Sequence, residues 1–104
     1  MTLRIDRRAD ADLNKAIRWL AARGRGAAVG KLWVEWLDGL ARIRSDPRLQ
    51  PPADDAPAGR EIRSYLTRKY GYRIVYEVMP TEVVVLALVH VRRRPTAWLG
   101  RLTP

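Results

Sequence analysis

The chain has 104 residues, enough for one compact domain with one modest core, because a chain of this size buries only about two-thirds of its unfolded surface. With no cysteine and a single histidine, His90, it has no disulfides, no thiolate metal site and no histidine cluster, so neither a metal nor a cofactor is expected. The 20 Lys and Arg against 11 Asp and Glu give a net charge of +9, a field that attracts nucleic acid, an acidic protein or an anionic surface.

The charge is unevenly spread. Residues 60 to 104 hold nine basic residues and three acidic ones. Arginine outnumbers lysine 17 to 3, a ratio that suits bidentate phosphate contacts and equally fits a GC-rich genome. The N-terminus lacks an apolar stretch of signal-peptide length, and the longest apolar run, Val83 to Val89, is too short to cross a bilayer. A cytoplasmic protein without membrane association is expected.

In chain order, Leu3 to Ile5 reads as a short strand, and Asp6 stands where a helix N-cap would accept the first free amides. Arg7 to Arg23 places Leu13, Ile17 and Leu20 at helical spacing. A second helix runs from Gly26 or Ala27 to Arg44, with Val29, Leu32, Trp33, Trp36, Leu40 and Ile43 on one stripe. The short link between the two predicts an antiparallel helical hairpin. Gly30 and Gly39 weaken the second helix by up to about 1 kcal/mol each relative to alanine, so packing must hold it.

Pro47 to Gly59 carries four of the seven prolines and no apolar period, and reads as a loop. From Arg60 the period becomes two. Ile62, Ser64 and Leu66 alternate with polar neighbours, as do Ile74, Tyr76 and Val78; Met79-Pro80-Thr81 makes a turn, and Val83 to Val91 is apolar on both faces, as in a central strand. The order β-α-α-β-β-β predicts an α+β domain spanning residues 1 to 104, an N-terminal helical hairpin packed on a small antiparallel sheet.

Ala9 to Ala21 (AxADLxxAIRWLA), the proline-rich loop, Gly59 to Arg63 (GREIR), and above all GYRIVYEV followed by EVVVLALVHVRRRP resemble the RelE/ParE superfamily of toxins from bacterial type II toxin-antitoxin systems. The resemblance runs through nearly the whole chain and implies the fold just derived. It further implies a cytoplasmic toxin held in a hetero-oligomer by a cognate antitoxin whose C-terminal segment wraps it. Two activities occur in that superfamily: RelE-like members cut mRNA on the ribosome, and ParE-like members poison DNA gyrase.

Metal-free RNA cleavage needs a base for the ribose 2′-hydroxyl, a cation for the charged phosphorane and an acid for the leaving oxygen. By resemblance, Arg73 matches the arginine of the GYR motif and Arg93 a basic position after the last strand. A RelE-like site would draw on Arg73, Arg93, His90 and Arg63. A binding site for the target or for phosphate would use Arg73, Arg92, Arg93 and Arg94.

The departures favour the ParE-like branch. The superfamily's lysine pair falls on Glu61 and Arg63, and the C-terminal tyrosine of RelE-like chains is replaced by Trp98-Leu99, which transfers no proton. An arginine-only site grips a phosphate but lacks a convincing base. Trp33 and Trp36 are the candidate antitoxin anchors, with core packing the ordinary alternative for Trp36. A basic nucleic-acid-binding module without toxicity is the remaining reading, and it lacks the usual exposed aromatic platform or recognition helix.

Overall fold

The computed structural model describes residues 1–54, 56–92 and 97–102. Its elements are β1 (Thr2–Ile5), α1 (Arg7–Ala22), α2 (Gly26–Ser45), β2 (Ile62–Leu66), β3 (Tyr72–Val78), β4 (Glu82–His90) and a C-terminal 3-10 helix (Ala97–Arg101). The expected helical hairpin on a four-stranded sheet is present, in the order β1-β4-β3-β2.

The sheet is mixed, not wholly antiparallel: β2, β3 and β4 pair antiparallel, whereas β1 runs parallel to β4, with Thr2 opposite Glu82 and Ile5 opposite Val85. The helices explain the direction. Asp6 N–H donates to the Val85 carbonyl and Asp12 accepts from Leu88 N–H, so α1 continues the way β1 was heading. α2 returns, meeting Lys69 at Glu35 and Tyr76 at Pro47, just beyond its end. β2 therefore starts at the same end as β1, and two reversals later so does β4.

Asp6 accepts the Arg8 N–H at 2.8 Å and pairs with the Arg8 guanidinium, whose hydrogen bonds hold its carboxyl down to about 2 from an ordinary 3.8. Since the folded value lies below the unfolded one, this contribution is complete above about pH 4 and fades as pH falls towards 2. Asp6→Asn keeps a cap acceptor. In urea titrations at pH 2 to 5 it should therefore lose part of the wild-type acid sensitivity in that window, and an unchanged pH profile would contradict the assignment.

Each sheet face has a core. On the helix side Leu13, Leu20, Leu32, Trp36 and Ile43 meet Ile74, Tyr76, Val85 and Leu88; on the other, Ile62, Val75, Val84, Leu86, Ala87 and Val89 are covered by Trp98 with Ala53, Ala56 and Leu102. This second layer is why β4 is apolar on both faces. Between Val75 and Tyr76 the register shifts, Val75 opposing Ala87 and Tyr76 opposing Val85, so Leu86 is extra and joins Ala87 on the second face.

The proline loop lies along the β2 edge. Ala53 N–H donates to the Ile62 carbonyl and Ser64 N–H to the Pro51 carbonyl, an arrangement prolines permit because their carbonyls still accept. Burial pushes the Tyr76 phenol up to about 12, so it stays protonated and donates to the Pro47 carbonyl at 2.6 Å.

The two helix glycines differ. A Cβ on Gly39 would stand 2.7 Å from Ile74 Cδ1 and 3.0 Å from the Tyr65 ring, whereas one on Gly30 meets nothing within 4 Å. Gly30→Ala should therefore stabilise by about 0.5 to 1 kcal/mol, and Gly39→Val should destabilise by about 1 to 3 kcal/mol through overpacking. Equal effects in denaturant melts would mean that α2 does not approach the sheet this closely.

Candidate functional site

Strand alternation divides the expected site residues between two faces. Arg73 opposes Val89 on the face of the second core, while its neighbour Tyr72 opposes His90 on the helix side, the two rings meeting edge-on at 5.1 Å. Arg63 opposes Tyr76, also on the helix side. Arg73 is thus kept apart from Arg63, whereas His90, although its register puts it on the helix side, stands at the strand end and lines the same depression as Arg73. Arg93 and Arg94 lie outside the described residues.

Two of the catalytic candidates are otherwise engaged. Arg63 donates to the Gln50 carbonyl at 2.6 Å and to Glu61 at 3.0 Å, fastening the proline loop to β2. Burial alone would raise the Glu61 carboxyl, but hydrogen bonds from Arg63 and Arg48 outweigh it and hold the carboxyl below its ordinary range. His90 Nδ1 accepts the Arg92 N–H at 3.1 Å, which ties up the lone pair a base would use and places the neutral ring's proton on Nε2.

Arg73 is different. It lies in a depression of about 310 Å³ on the sheet face away from the two α-helices, floored by Val75, Val89 and Trp98, walled by Pro51 to Asp54, and bordered by Ser64, His90 and Val91. The guanidinium is half-buried and, among the described residues, has no hydrogen bond or ion pair, even to Asp54 in the same depression. A partly desolvated, unpaired guanidinium suits bidentate binding of a carboxylate or phosphate. Among the described residues the one imidazole at the depression is His90, and its Nδ1 is already engaged by the Arg92 N–H. Among the described residues, no group of three potential metal ligands converges.

A second surface lies on α2. Trp36 is 3% exposed and spends its ring on the core, so it is withdrawn as a partner anchor; Trp33 is 46% exposed. Val34 and Leu37 are exposed beside it, forming an apolar strip that the sequence reading missed. The signal was available: α2 carries more apolar positions than one face can bury.

The sequence model of the family described as the ParE toxin of the type II toxin-antitoxin system parDE matches residues 3–95. The chain belongs to the ParE toxin family. A solved chain from the "Chromosomal ParDE TA system from P. aeruginosa" is similar in structure, with a TM-score of 0.74 at 15% identity, covering 88% of this chain and 96% of that one. At that identity the likeness attests the fold alone. No curated protein matches the sequence.

In this ParE-family toxin the cationic depression and the apolar strip lie on opposite sides of the sheet. No helix is long and apolar enough to cross a membrane among the described residues.

Proposed function

We propose that this ParE-family toxin arrests bacterial growth by binding and inhibiting DNA gyrase, breaking no bond itself, and that a cognate antitoxin holds it inactive in a cytoplasmic hetero-oligomer. The observation that supports this reading is the Arg73 depression: a cation with no ion pair among the described residues, beside one imidazole, His90, whose Nδ1 already accepts the Arg92 N–H. Such a site suits gripping an anion better than acid-base chemistry.

Induced expression alone should stop growth of a bacterial host, and co-expression of the small acidic partner from the adjacent reading frame should restore it. Normal growth with soluble toxin present would overturn the reading. On programmed ribosomes the purified toxin should leave mRNA intact. A-site cuts would replace gyrase with RelE-like cleavage.

The exposed Trp33-Val34-Leu37 strip is the surface proposed for the antitoxin, with Trp33 as anchor. Trp33→Ala should weaken antitoxin binding about 30-fold or more, the effect of losing a hot-spot side chain worth about 2 kcal/mol, while leaving the melting temperature nearly unchanged because the ring is half exposed. Calorimetric titration checks this. Unchanged affinity would move the antitoxin elsewhere.

A further inference from the structure

The ends of the sheet treat their arginines differently. Where β2 and β4 begin, Arg4 pairs with Glu82, Arg60 with Glu77, and Arg48 and Arg63 with Glu61, at 2.6 to 3.0 Å. At the other end, the β2–β3 turn carries Arg68 and Lys69, Arg92 follows β4 beside it, and Arg73 stands two residues in. None of these four side chains is ion-paired among the described residues.

The turn that carries them is firmly built. Thr67 Oγ1 accepts the Tyr72 N–H at 3.0 Å, and the Thr67 backbone N–H donates to the Tyr72 carbonyl at 2.8 Å. Gly71 supplies the left-handed φ of +67° that closes the turn, and Val91 N–H donates to its carbonyl, which sets Arg92 against the turn. Glu35 Oε1 accepts the Lys69 backbone N–H at 3.1 Å, anchoring the tip to α2 and placing one carboxylate behind it.

We infer that this end of the sheet docks on the phosphate backbone of double-stranded DNA through Arg68, Lys69 and Arg92. Rows of cations without carboxylate partners, on a backbone already ordered, suit phosphates, whose binding is driven by release of condensed counterions. Single-stranded RNA is disfavoured because its readers stack bases on exposed aromatics, whereas Tyr70 and Tyr72 here pack against the helix-side core and Tyr72 meets His90. A protein partner would seek an apolar centre ringed by polar groups; at this end only Leu66 and Val91 are exposed among the described residues, a smaller apolar surface than Trp33, Val34 and Leu37 give α2. Duplex binding goes beyond gyrase inhibition and stands without it.

The test is fluorescence anisotropy of the purified toxin with a mixed-sequence 20-base-pair duplex from 50 to 200 mM salt. It compares wild type, the triple variant Arg68→Gln, Lys69→Gln, Arg92→Gln, and a control of equal net charge, Arg7→Gln, Lys15→Gln, Arg44→Gln, whose side chains are also exposed and unpaired. The first triple should reduce the slope of log affinity against log salt by about 2 to 3 and weaken binding roughly 10-fold or more at 50 mM salt, while the control stays near wild type. Equal loss in both variants would mean net charge alone and overturn the inference. So would a wild type that ignores the duplex, a single-stranded RNA of equal length bound as tightly as the duplex, or a first triple that loses antitoxin or gyrase with its duplex affinity intact. Supercoiling inhibition by the wild type, measured separately, reports on the gyrase reading: either result can fail while the other holds.

Discussion

Trp98→Ala is expected to destabilise the toxin by about 3 to 5 kcal/mol, the cost of deleting a large buried aromatic with partial relaxation around it. The ring is 2% exposed and packs with Ile62, Val75, Val84 and Leu86 on the sheet face that neither α-helix covers. Its loss removes the largest side chain of that layer and part of the floor of the Arg73 depression. Leu99, next in sequence, is exposed and should cost at most about 0.5 kcal/mol as alanine. Urea denaturation of both variants decides: a Trp98→Ala loss below about 1 kcal/mol would mean that the C-terminal segment does not build the second core.

Asp12→Ala should cost about 2 to 3 kcal/mol, less than for a fully buried ion pair because both side chains are a fifth exposed. The carboxylate sits mid-way along α1, accepts Leu88 N–H at 3.0 Å and binds Arg101 through both oxygens at 2.6 and 3.0 Å. Arg101 also donates to the Leu86 carbonyl. β1 stops at Ile5, opposite Val85, so these two side chains take over the β4 edge where its neighbouring strand ends. Removing Asp12 leaves a backbone amide and a guanidinium without their acceptor, a fuller penalty than the pair's net worth. Asp12→Asn retains one acceptor and should fall between wild type and alanine. A fall in melting temperature of roughly 10 °C or more is expected for Asp12→Ala, and a shift within about 2 °C would contradict the role given to this pair.

What the sequence disclosed follows from the range of each interaction. Both helices and the three later strands were legible because caps, period and turn residues act within a few positions. The direction of β1 was not: a four-residue alternation reads the same either way, and only the return of α2 decides it. Arg63 looked like a site residue because its partners sit in a loop with no period of its own. The Asp12–Arg101 pair spans 89 positions, and nothing local announces it.

The tryptophans show a finer limit. Three residues turn a helix through about 300°, leaving Trp33 and Trp36 roughly 60° apart. That is enough to bury one and expose the other at the edge of an apolar stripe. The face of His90 was out of reach: counting alternation outward from the Met79-Pro80-Thr81 turn puts it on the Arg73 face, and the register shift at Val75/Tyr76 inverts that count.

The most direct test of the central claim is supercoiling of relaxed plasmid by purified gyrase with increasing amounts of the free toxin. Dose-dependent inhibition, abolished by prior addition of the antitoxin and weakened by Arg73→Gln, is the predicted result. Full supercoiling activity at a large molar excess of folded toxin would contradict it.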